Sequence, residues 1–208
     1  MIMAVASGIG VGGGSAVSRY IGAMDRRGAQ EIATHSHVLA LVIGTAITLP
    51  AFLWAPEIFA ALGAGPVVPL ATAYGRVMFA ATLVVFFAHV SMALLRAEGD
   101  VNRAMTAMLL GAGLNIILDP LFIYGLRLGV AGAAWATVIS MTITALLLCR
   151  WICIRKDMWI TVTLKGFRFR RKALKDIFKV GFPSSIQHMS MSLSVSYTHL
   201  TLPTKRIV

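Results

Sequence analysis

Residues Gly113–Thr137 read GLNIILDPLFIYGLRLGVAGAAWAT, and this stretch decides the fold. It sets a carboxylate, Asp119, four residues after an amide, Asn115, inside an otherwise apolar run. Residues spaced i, i+4 share one face of a helix, so both side chains point into the same space. An ionisable group at membrane depth costs about 2.5–3.5 kcal/mol on insertion scales, and residues retained there mark ion or substrate paths. Plainer roles stand beside that one. Asp119 with Pro120 can end a helix, since proline brings no amide donor and pushes the preceding residue out of helical geometry. Asn115 can simply hydrogen-bond a neighbouring helix.

The rest of the chain has the same character. It is 58% hydrophobic and 13% charged, with mean hydropathy +0.80, beyond an ordinary soluble domain. Ile32–Pro56, Val77–Leu95, Ala104–Leu118 and Leu128–Cys149 contain no Asp, Glu, Lys or Arg. A bilayer core asks for about 20 helical residues, so three of these runs suffice alone, and Ala104–Leu118 reaches that length by extending through Asp119 to Tyr124. Met1–Ser18 is uncharged but rich in Gly and Ser, and fits a fifth span. It has no basic start and no break before the next joint, which excludes a signal peptide. The expected fold is all-α, a polytopic transmembrane bundle. Buried helices of soluble bundles do not follow one another at membrane length with charge confined to the joints.

A net charge of +11 would suggest nucleic acid if it were spread along the chain. Instead it alternates. Arg19, Arg26 and Arg27 lie in one joint, Arg96 and Arg103 in another, and a dense basic segment runs from Arg150 to Lys179. The intervening joints hold Arg76 and Arg127. Alternate basic loops follow the positive-inside rule, so Arg19–Glu31, Arg96–Arg103 and Arg150–Gly181 are expected on the cytoplasmic side, with Trp54–Arg76 and Tyr124–Val130 outside. The basic segment suits anionic lipid, and no nucleic-acid partner is expected.

Smaller signals read as packing. Gly8, Gly10, Gly12, Gly13 and Gly14, and later Gly129, Ala131, Gly132, Ala133, Ala134 and Ala136, are small residues that let helix backbones approach closely. A phosphate-binding loop would need a strand before Gly8–Gly14 and a Lys-Ser/Thr after it, and has neither. Cys149 and Cys153 share a helical face without further ligands, as apolar packing residues. His35, His37, His89 and Ser91 read as hydrogen-bonded packing before proton relay. Met78, Phe79, Phe86, Phe87 and Met92 read as helix contacts before a greasy cavity. HExxH, GxSxG and paired intramembrane aspartates are missing, so no enzyme and no cofactor is expected.

Four segments together resemble one family. Gly8–Glu31 (GIGVGGGSAVSRYIGAMDRRGAQE), Leu94–Met105 (LLRAEGDVNRAM), Leu114–Ser140 (LNIILDPLFIYGLRLGVAGAAWATVIS) and Val180–Gln187 (VGFPSSIQ) are similar, in order, to the multidrug and toxic compound extrusion (MATE) family. The resemblance implies a two-lobed transporter of twelve helices that exports organic cations and other amphiphiles in exchange for Na+ or H+. Residues 1–150 would be helices two to six of the first lobe, 151–180 the cytoplasmic connector, and 181–194 the start of helix seven. It also implies that Asn115, Asp119 and a threonine on the next helix, Thr137, bind the coupling cation. Carboxylate, amide carbonyl and hydroxyl are hard oxygen donors that suit sodium or a proton. Thr137 could instead bond back to its own helix. The expected setting is a bacterial plasma (inner) membrane, in a protein monomeric when full-length. The nearest rival is a lipid-linked sugar flippase of the same superfamily, which would favour a cationic cavity. The predicted interior holds Asp119 and no inward Lys or Arg.

By the same resemblance the chain is a partial one, not expected to transport alone, with apolar surface left where further helices belong. After Ser194 the apolar character stops, and Val195–Thr204 resembles the translation of a sequencing adapter. Residues 195–208 are therefore expected to be non-native, a short polar native tail being the alternative.

Overall fold

The computed structural model describes residues 2–61, 63, 65–154, 158–162 and 167–201. Eight α-helices carry the fold: α1 (Ile2–Gly22), α2 (Arg26–Leu53), α3 (Ala55–Ala61), α4 (Val68–Ala80), α5 (Thr82–Glu98), α6 (Val101–Pro120), α7 (Gly129–Cys149) and α8 (Arg171–Thr201). No strand occurs among the described residues.

The joints form where the local chemistry asks for them. Asp25 precedes α2 and accepts the Gly28 N–H at 2.9 Å, while Asp100 precedes α6 and accepts the Arg103 N–H at 3.1 Å. Each carboxylate satisfies one of the donors that a helix start leaves orphaned. Between α5 and α6, Gly99 takes φ 95°, a left-handed conformation open to glycine at little cost, and closes α5 onto the carbonyls of Leu95 and Arg96.

Among the described residues three helices are long and apolar enough to cross a membrane, α2, α6 with its following turn, and α7 with its own; the bent pair of Gly65–Ala80 and Thr82–Glu98 makes a fourth when counted as one span. The expected single span Val77–Leu95 is corrected here. The chain bends by 49° between Ala80 and Thr82, and the Thr82 hydroxyl bonds back to the Met78 carbonyl at 3.3 Å, a contact that bends helices. Trp54–Arg76 is also not an open loop. It folds into α3, a 3₁₀ turn at Gly65–Val67 and most of α4. Pro56 and Pro69 stand at second positions of helices, where the missing N–H has no intrahelical partner to lose. α1 is helical from Ile2 through the end of the expected span, yet its Gly and Ser leave it outside the apolar set. α8 begins at Arg171, ahead of the Gly181 start expected for it, and its backbone stays helical past Ser194 to Thr201. Residues 202–208 of the expected non-native tail lie outside the described residues.

α1 is the central post, packed by α2, α5 and α8. One apolar core joins these helices through Ile9, Val17, Ile32, Phe86, Val90, Leu94 and Ile177. A second joins α5, α6 and α7 through Leu95, Ala104, Ala107, Ala145 and Leu148. The glycines of α1 earn their place: a Cβ on Gly8 would stand 2.6 Å from the Gly181 carbonyl oxygen, and one on Gly12 2.9 Å from the Gly181 Cα. The α1 and α8 backbones therefore touch directly. Phe86 is fully buried, Phe87 packs on His37 at 5.1 Å, and Phe79 stacks on Phe59 at 6.3 Å, so these aromatics are helix contacts. Outward, α6 presents Met108, Leu109, Ile116 and Ile117, the apolar surface of a helix facing lipid or another helix.

The three basic joints meet at one end. The Ser18 hydroxyl donates to the Ala97 carbonyl at 3.0 Å, and Arg26 donates to the Met158 carbonyl at 2.6 Å. The turn after α6 lies at the opposite end of that helix.

Candidate functional site

The sequence places Asn115 and Asp119 one turn apart on α6, and the structure adds α7 beside them. Small residues make the approach possible. A Cβ on Gly132 would lie 2.7 Å from the Phe122 carbonyl oxygen, and one on Gly111 2.9 Å from the Thr144 hydroxyl. After Asp119, Pro120 supplies no N–H, and the chain widens into a π-helical turn over Leu121–Gly125, closed by Leu126 N–H to Leu121 carbonyl at 2.9 Å. α6 does end at Pro120, so Asp119 sits on the last turn and also faces the neighbouring helix.

The three expected residues converge. The Asn115 side-chain amide donates to Asp119 Oδ1 at 3.2 Å and to Thr137 Oγ1 at 3.4 Å. The Thr137 hydroxyl donates to the Ala133 carbonyl at 3.0 Å, the back-bond expected of it, and this turns its lone pairs toward Asn115. All three are part-buried. Asp119 Oδ2 and the Asn115 carbonyl oxygen have no hydrogen-bond partner among the described residues. The group thus offers a single formal charge with neutral oxygens around it, which matches a hard monovalent cation. No cluster of three His, Cys, Asp or Glu side chains able to hold a metal occurs among the described residues.

The remaining polar residues are mostly hydrogen-bonded within the packing. His37 donates from Nδ1 to the Ala33 carbonyl at 2.9 Å, and its Nε2 accepts the Ser91 hydroxyl at 2.9 Å, tying α2 to α5. Cys149 and Cys153 are free thiols whose sulfurs lie 3.8 Å apart. Glu98 drew no notice in the sequence, because one carboxylate among arginines reads as surface charge; here it accepts main-chain N–H groups of Trp159 and Ile160.

Known proteins resemble this chain in sequence and fold. The MatE family profile matches residues 1–121, more than half of the chain. The chain belongs to the MatE family. It is 32% identical over 203 residues to the multidrug export protein MepA of Staphylococcus aureus (strain MRSA252), covering 97% of this chain and 44% of that protein. An inward-facing multidrug resistance MATE transporter of the MOP superfamily superposes with TM-score 0.87 at 47% identity, over 92% of this chain and 44% of the other. An outward-facing one superposes with TM-score 0.89 at 46% identity, over 94% and 44%. This MatE chain therefore spans about 44% of the length of the relatives it matches. It is a multi-pass membrane protein, and the relatives named are exporters and transporters rather than enzymes.

Proposed function

We propose that this chain carries the ion-coupling half of a secondary active multidrug exporter, which moves amphiphilic and cationic small molecules outward against an inward flow of Na+ or H+. The observation that supports this reading best is the meeting of Asn115, Asp119 and Thr137 across α6 and α7. One carboxylate can be neutralised by one proton or one sodium ion. Either occupant changes the balance between helix arrangements, and a ligand shifts such an equilibrium only by binding its two states differently. The basic end faces the cytoplasm on this reading, because Lys and Arg are retained on that side.

Binding of radioactive sodium to the purified chain in lipid nanodiscs tests the site. Wild type is expected to bind sodium in competition with protons, and Asp119→Asn to bind it at least about tenfold more weakly, the loss of one charge-assisted contact. Equal affinity in the two proteins would refute the site. Should wild type bind no sodium, a carboxyl titration of Asp119 that responds to a lipophilic cation assigns the proton as the coupling ion. Export is tested by exchanging residues 1–194 into S. aureus MepA and following efflux of a fluorescent lipophilic cation. Asp119→Asn in that chimera is expected to abolish ion-driven efflux.

A further inference from the structure

We propose that residues 158–160 and 167–170, between α7 and α8, act as a strap on the basic end of the bundle, fastened at Glu98 and at His35, and that protonation of His35 releases the second fastening.

The first fastening is made by three consecutive residues. Glu98, closing α5, accepts the Trp159 N–H on Oε1 and the Ile160 N–H on Oε2, the latter at 3.3 Å. From α2, Arg26 donates to the Met158 carbonyl at 2.6 Å and Gln30 to the Trp159 carbonyl at 3.3 Å. The side chains anchor what the main chain ties. Met158 is 3% exposed and enters the core of α5, α6 and α7; Ile160 is 1% exposed and enters the core of α1, α2, α5 and α8. One short non-helical stretch therefore pins both cores of the bundle at the same end.

The second fastening depends on a tautomer. His35 is buried on α2, with Nδ1 at 2.7 Å from the Glu31 carbonyl and Nε2 at 3.1 Å from the Arg170 main-chain nitrogen. A carbonyl can only accept and a main-chain N–H can only donate. The ring proton must sit on Nδ1, and Nε2 must hold a lone pair, so the imidazole in this contact is neutral. Among the described residues, the charged groups beside it are Glu31 on its own helix and Arg170 from the strap, paired with each other at 2.9 Å. Phe167 and Phe169 cover the ring with centroids at 4.8 and 6.4 Å. A proton added to Nε2 would set two N–H groups head to head and remove the acceptor of Arg170, the residue just before α8. The start of α8 would then lose its main-chain tie to α2 and keep only the Arg170–Glu31 ion pair there.

Amide hydrogen exchange of the purified chain in nanodiscs reads both fastenings, after correction for intrinsic pH dependence. At pH about 8, Glu98→Ala is expected to lower protection of Trp159 and Ile160 about tenfold while Arg170 stays protected. Unchanged protection at Trp159 in that variant would overturn the first fastening. On moving wild type from pH about 8 to about 5, Arg170 is expected to lose protection about tenfold. His35→Gln keeps a carbonyl acceptor but does not titrate, so its Arg170 amide is expected to be insensitive to that change. Equal pH sensitivity in the Gln variant, or none in wild type, would overturn the release. The imidazole nitrogen spectrum of wild type guards against a misfolded variant: a proton on Nε2 at pH about 8 would contradict the contact directly.

Discussion

At the scale of the residue, Asp119 contributes charge, Asn115 contributes reach and Thr137 contributes an oxygen from the second helix. Their weights should differ accordingly. Thr137→Val keeps the shape and removes one neutral donor, so sodium affinity is expected to fall several-fold in the binding measurement, less than for Asp119→Asn. Asn115 and Asp119 were legible in the sequence through their i, i+4 spacing within an apolar run. Thr137 was legible through family resemblance alone, because threonines are scattered along α7 and no spacing rule picks one out. His35 was visible as a polar residue, yet its role as acceptor was not, since it depends on a main chain 135 residues away.

Among elements, the long apolar runs announced α2, α6 and α7, while the Asp25 and Asp100 caps that start α2 and α6 emerge from the structure. Removing such a cap has a known scale. Asp100→Ala is expected to cost about 1 kcal/mol, read as a lowered unfolding midpoint in detergent. Gly99→Ala is expected to cost about 1–2 kcal/mol because its φ of 95° is left-handed, so the two variants should be comparably unstable. The bend at Ala81 and the helices before it escaped sequence reading. Hydropathy reports how apolar a stretch is, and says nothing of the angle at which two helical pieces join. Trp54–Arg76 was expected as a loop, whereas two of its prolines occupy helix starts.

For the whole molecule, the alternation of basic joints predicted which segments share an end, and the contacts among Ser18, Ala97, Arg26 and Met158 show them together. Which side that end faces is open to direct measurement. With the native cysteines replaced by serine, Arg127→Cys is expected to react with a membrane-impermeant thiol reagent from outside cells, and Arg27→Cys to react after the membrane is opened. Reversed labelling would invert the orientation. The strap adds to the cohesion of that end, since burying Met158 and Ile160 supplies about 1.5–3 kcal/mol each toward holding the two cores together.

The direct touch of α1 on α8 also limits how this chain can drift. At positions 8, 12 and 181 any side chain heavier than a hydrogen must push one backbone off the other. A saturation library scored for membrane insertion should return glycine almost alone at these three sites, while Met3 and Val11, exposed on the same helix, accept most apolar substitutes. Two lineages of this gene could then diverge widely in lipid-facing sequence and still be aligned by three glycines.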